Sequence, residues 1–99
     1  LGSKPSLITV EVILEGRVQK VGMRNFIRRL ATKYKITGYV ENVDNGSVRV
    51  VAQGSEERLS VFLKNIGKPS LAVRLSGGKI VKMVERPSCE QGFGSFEKR

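Results

Sequence analysis

Between Gly38 and Gly54 the chain reads GYVENVDNGSVRVVAQG, two alternating runs of apolar and polar residues joined at Asp44-Asn45-Gly46. Asparagine followed by glycine takes positive φ readily, as a tight hairpin turn requires, so the segment is predicted to form two paired antiparallel strands. Upstream, LITVEVILE (Leu7 to Glu15) sets Ile8, Val10, Val12 and Leu14 on one face and Thr9, Glu11, Ile13 and Glu15 on the other. That period of two, with its β-branched residues, predicts another strand. Gly16 to Gly22 breaks it. Met23, Phe26, Ile27, Leu30, Ala31 and Tyr34 then follow the spacing of one helix face.

Downstream of the hairpin, Ser55 can cap a second helix, with Glu56 and Glu57 in the first turn where the helix dipole favours acids. Its apolar face is Leu59, Phe62, Leu63 and Ile66, and Gly67 followed by Lys68-Pro69 stops it. AVRLSGGKIVKMVERP allows either a hairpin turning at Gly77-Gly78 or a loop leading into one strand, Lys79 to Arg86. SCEQGFG reads as a loop and SFEKR as a short final strand. The order β-α-β-β-α-β implies an α+β, ferredoxin-like sandwich: an antiparallel sheet of four to five strands with two helices on one face.

At 99 residues the chain suits one domain. Its opening LGS resembles a cloning or cleavage remnant, so the expected domain covers residues 4–99. No apolar stretch approaches the roughly 18 residues that span a bilayer, and no signal-peptide pattern is present, so a cytoplasmic protein without a membrane partner is expected. Cys89 is the sole cysteine, which rules out a disulfide within the chain. Histidine is absent, which removes His-ligated zinc, Ser–His and Cys–His pairs and histidine general bases. Chemistry here must run on Arg, Lys, Asn, carboxylates, hydroxyls and main-chain N–H groups. A net charge of +9 favours an anionic partner, whether nucleic acid, acidic lipid or a phosphorylated small molecule.

The bases are concentrated. From Gly16 through Val40 there are seven Lys and Arg and no carboxylate. Helices usually begin with acids, yet in EGRVQKVGMRNF a helix begins beside Arg24, at a cost of about 0.3–1 kcal/mol. A strand–glycine–loop–helix junction directs successive N–H groups into one concavity at the positive end of a helix. Arg24 adds a planar fork able to bind phosphate through two bonds. A bound dianion turns the repulsion into attraction; the competing explanation is an arginine that swings into water.

GRVQKVGMR followed by GYVENVDNGSV resembles the acylphosphatase family, whose signature is similar to G-x-V-Q-G-V-x-F-R and then G-[WY]-V-x-N. The match runs roughly from Thr9 to Pro69. The resemblance implies a monomer that hydrolyses the carboxyl–phosphate bond of small acyl phosphates, releasing inorganic phosphate, without metal, cofactor or covalent intermediate. It implies that Arg24 binds the phosphoryl group, that Asn42 orients the attacking water, and that Arg17, Val18, Gln19, Lys20, Val21 and Gly22 form the backbone cradle. Lys20 stands where the motif has its second glycine; if that residue needs positive φ, lysine costs about 1–3 kcal/mol, and impaired turnover is expected. Met23 replaces a phenylalanine. Glu41 should point away from Asn42, to the opposite face of the strand. The alternative is an impaired or inactive phosphate- or nucleic-acid-binding module, for which Tyr39 is the one aromatic placed to stack on a base.

Overall fold

The computed structural model describes residues 7–99; the expected remnant at 1–3 lies outside the described residues. The elements run β1 (Ile8–Arg17), α1 (Met23–Lys33), β2 (Thr37–Asn42), β3 (Val48–Gly54), α2 (Glu56–Ile66), α3 (Leu71–Leu75), β4 (Lys79–Pro87) and β5 (Phe96–Lys98). They build one five-stranded sheet in the order β4-β1-β3-β2-β5.

The hairpin is where the sequence puts it, with a different turn. Val43 N donates to Ser47 O at 2.9 Å, and Gly46 N to Val43 O at 3.0 Å, which leaves a three-residue loop. Gly46 takes φ 92, while Asn45 stays at negative φ. The Asn45 side chain instead accepts from Ser47 N at 3.0 Å and Ser47 Oγ at 2.6 Å, holding the turn from outside. A three-residue loop closed by a left-handed glycine is a common hairpin solution and needs only one such residue.

β1 pairs antiparallel with β3, from Ile8↔Gly54 to Leu14↔Val48, so Val12, Leu14, Val48 and Val50 share one face. That face meets Met23, Ile27 and Ala31 of α1 and Leu59, Phe62 and Ile66 of α2, all buried. Each of these side chains except that of Ala31 contributes about 1.5–3 kcal/mol on leaving water. Ser55 caps α2 as expected, accepting from Arg58 N at 3.3 Å.

The sheet departs from expectation at three places. β1 does not stop at Glu15: it continues through a register shift at Glu15/Gly16 and pairs Arg17 with Lys79. Ser70 to Leu75 is not a strand; Ser70 Oγ accepts from Val73 N and caps the short helix α3, and Lys79–Pro87 is the single strand that follows. The third departure is β5, which runs parallel to β2, so the sheet is mixed rather than wholly antiparallel. β4 and β5 occupy opposite edges. Residues 88–95 must therefore cross the whole sheet, and a chain that crosses and turns back enters β5 antiparallel to β4, hence parallel to β2.

This crossing covers the face that the helices leave open. Ser88 N donates to Thr9 O at 3.0 Å, and Gly38 N to Ser95 O at 2.9 Å. Beneath it Val51 and Tyr39 are buried, and the Tyr39 ring meets Phe93 edge-on at 6.0 Å. Tyr39 donates its hydroxyl to the Glu90 carboxylate at 2.9 Å. Burial first, and then that bond, push the phenol pKa up and keep it a neutral donor. Arg49 bridges Glu11 at 2.6 Å, Glu41 at 3.1 Å and Glu90 at 3.2 Å, and Arg86 also donates to Glu11. Glu41 thus lies on the face opposite Asn42, as strand alternation requires.

Candidate active site

The junction between β1 and α1 explains the odd charge of its sequence. Gly22 occupies the N-cap of α1 at φ 82, a left-handed conformation that glycine adopts without a Cβ penalty. It offers no side-chain cap, and the first helical turn contains no acid. The first-turn N–H groups are thus left for an acceptor from outside. Val18 and Val21 are buried and anchor the two ends of the loop in the core. Gln19 ties the loop to the hairpin: its Nε2 donates to Val43 O at 2.7 Å and to Ser47 O at 2.8 Å. Because Val43 follows Asn42, this pair of bonds fixes the distance from the loop to the end of β2.

Asn42 pairs with core-facing Val48, so its side chain leaves the sheet on the helix side, toward the start of α1. There a cavity of about 160 Å³ is lined by Val18, Lys20, Gly22, Met23, Arg24, Asn25, Asn42 and Lys98. Arg24 and Asn42 therefore open into one space. Three cations, Lys20, Arg24 and Lys98, stand around it with no carboxylate among the lining residues. Arg24 is half-buried, and its Nη1 donates to the main-chain oxygen of Arg99 at 2.6 Å, which sets the direction of the guanidinium and leaves its other N–H groups for a ligand. Lys98 Nζ donates to Asn25 Oδ1 at 3.0 Å.

The six loop residues divide by role. Lys20 and Gly22 border the cavity, together with Val18 at its base. Gln19 and Val21 face elsewhere, as brace and anchor. Arg17 belongs to the end of β1 and is not among the cavity's lining residues. Lys20 has φ 60, the left-handed conformation that a lysine adopts at a cost. Sequence reasoning missed Asn25 and Lys98. Lys98 lies 74 positions from Arg24 and comes near only because β5 pairs with β2, a juxtaposition that no local pattern encodes.

A larger cleft, about 540 Å³, lies between α2 and the β1–β4 edge, where Val10, Leu59, Leu63 and Met83 are joined by Glu56, Glu85 and Lys64. Two carboxylates against one lysine suit an anion poorly. The smaller cavity suits a compact, multiply charged anion.

Residues 10–96 match the acylphosphatase family model. An acylphosphatase of Bacillus licheniformis is 40% identical over 90 residues, covering 91% of this chain and 96% of that protein. One from Caldivirga maquilingensis is 48% identical over 95 residues, 93% of this chain and 94% of that one. The crystal structure of acylphosphatase from Bacillus subtilis superposes with a TM-score of 0.80 at 32% identity, covering 92% of this chain and 96% of that chain. Fold and sequence alike are thus those of a small phosphate-releasing hydrolase. The chain belongs to the acylphosphatase family, and its substrate class is the small-molecule acyl phosphate. Among the described residues no helix is long and apolar enough to cross a membrane.

Proposed function

We propose that this enzyme hydrolyses acyl phosphates with Arg24 and the N–H groups of the 18–22 loop holding the phosphoryl oxygens and Asn42 orienting the water. The reading rests on one observation: the Arg24 fork and the Asn42 side chain open into the same small cation-lined cavity. An acyl phosphate is already activated, because its leaving group is a carboxylate. Phosphoryl transfer then asks the protein mainly for positioning and for neutralising charge on the equatorial oxygens. Arg24 and Lys98 supply positive charge beside the phosphoryl group, while Lys20 stands at the border of the cavity. Asn42 is too weak a base to take a proton and acts by orientation, its amide holding the water in line with the scissile P–O bond. The cleaved bond returns its electron pair to the carboxylate, and the water's oxygen becomes part of inorganic phosphate, one of its protons passing to a phosphoryl oxygen.

The test is hydrolysis of benzoyl phosphate without added metal; folded protein that releases no phosphate above a buffer blank removes this assignment. Action as a monomer belongs to the same proposal, and sedimentation equilibrium checks it. Cys89 is exposed and unpaired, which suits a reducing, cytoplasmic compartment. A nucleic-acid role finds little support, since Tyr39 is buried under Phe93 with the Arg99 guanidinium 3.7 Å from its ring centroid and cannot stack on a base.

Lys20→Gly offers a separate check. Relief of the left-handed strain, less the entropy that glycine adds to the unfolded chain, is expected to stabilise the protein by about 0.5–1 kcal/mol. That corresponds to a melting temperature roughly 3–6 °C higher by calorimetry. Turnover of benzoyl phosphate is expected to rise as well, because the lysine crowds the cavity mouth and favours the bound ground state rather than the transition state.

A further inference from the structure

The small cavity has no room for much beyond a phosphoryl group, so the acyl portion of a substrate must leave it through an opening. Beside it lies a cleft of about 410 Å³ that shares Lys20, Gly22 and Asn25 with the small cavity. Its floor is apolar, formed by Val21, Phe26 and Val73. Its far wall is α3, the short helix that the Ser70 cap creates, which contributes Ser70 and Ser76 at the rim. Arg29, one and a half turns along α1 from Arg24, stands in the cleft on the side opposite α3, and no carboxylate lines it.

Resting on the phosphoryl-site reading above, we infer that this cleft is the acyl subsite and that Arg29, with Lys20 at the junction, makes the enzyme prefer acyl phosphates whose acyl group carries a second negative charge. The chemistry follows from the lining. An aromatic or short aliphatic acyl chain gains burial against Val21, Phe26 and Val73, and a distal carboxylate meets two cations with no opposing acid. Arg29 and Lys20 are both exposed, so the discrimination is modest, set by a screened charge pair rather than a buried one.

Calorimetric titration with two stable analogues tests this: phenacylphosphonate, in which a CH2 replaces the bridging oxygen, and its para-carboxy counterpart. The carboxylated compound is expected to bind roughly fivefold tighter, with the advantage shrinking at about 0.5 M salt. Arg29→Gln should reduce the ratio to below about twofold, and Arg29→Glu should invert it. Equal affinities in the native protein, or a ratio that Arg29→Gln leaves unmoved, overturn the inference. Competition with inorganic phosphate, which occupies only the phosphoryl cavity, separates the two layers. If phosphate displaces both analogues but they bind alike, the phosphoryl site stands and the acyl subsite falls; if it displaces neither, both readings fall.

Discussion

Arg24→Ala is expected to lower kcat/KM for benzoyl phosphate by about 10³- to 10⁵-fold, and Asn42→Ala by about 10²- to 10³-fold. The two figures differ because the groups do different work. Arg24 places a permanent charge and a planar fork against oxygens whose negative charge is redistributed in the transition state. Asn42 contributes dipole and direction, so its loss leaves the phosphoryl group bound but the water free to wander. Arg24→Lys should recover little: a lysine carries the charge but cannot reproduce the fork held in place by the bond to the Arg99 main-chain oxygen. Steady-state kinetics, with circular dichroism to confirm folding, decides the matter. A folded Arg24→Ala protein that keeps a tenth of the native rate would falsify the assignment.

The second large effect lies on the other face of the sheet and concerns stability. Glu11 is buried and accepts from both Arg49 and Arg86. Burial alone raises its pKa, but the hydrogen bonds and charges of Arg49 and then Arg86 outweigh it and hold the carboxyl below its ordinary value of 4.5. For Arg49 likewise burial opposes the charge, and Glu11 and Glu41 more than offset it. Removing the Glu11 charge leaves Arg49 with Glu41 and Glu90 as its remaining partners beneath the 88–95 crossing, whereas Arg86 is largely exposed and can return to water. Glu11→Gln is therefore expected to cost about 1–2 kcal/mol, less than breaking a fully buried pair, and to lower the melting temperature by roughly 5–15 °C. The pH dependence carries a sign. A carboxyl with a depressed folded pKa contributes its stability above pH 4.5 and loses it as pH falls through the folded value. Urea titrations at pH 7 and at steps below pH 4.5 should show the native protein losing more stability on acidification than Glu11→Gln does. Parallel loss in both proteins would remove Glu11 from the account.

Much of this was legible in the residues themselves. The alternation in Ile8 to Leu14 and Val48 to Ala52, the helical spacing from Met23 to Ala31 and the Ser55 cap each depend on neighbours a few positions away, and each forms as read. The cost at Lys20 was an expectation of the family resemblance, whose motif has glycine at that position, and the residue does take φ 60. α3 had a signal, Ser70 after Pro69, that a glycine pair at Gly77-Gly78 outweighed. Arg17 ends β1 rather than opening the loop, because pairing with Lys79, a partner distant in sequence, carried the strand two residues beyond Glu15.

The sequence by itself determined the alternating strands, the amphipathic helices, the hairpin and a histidine-free, acid-free stretch at the start of α1, because periodicity, capping and charge act over a few residues. Tertiary structure alone decided that β5 lies beside β2, that residues 88–95 cover the back of the sheet, and that Lys98 and the Arg99 main chain reach Arg24. Those contacts join residues more than forty positions apart, and their free energy comes from strand pairing and burial across the whole sheet rather than from any preference of the residues concerned.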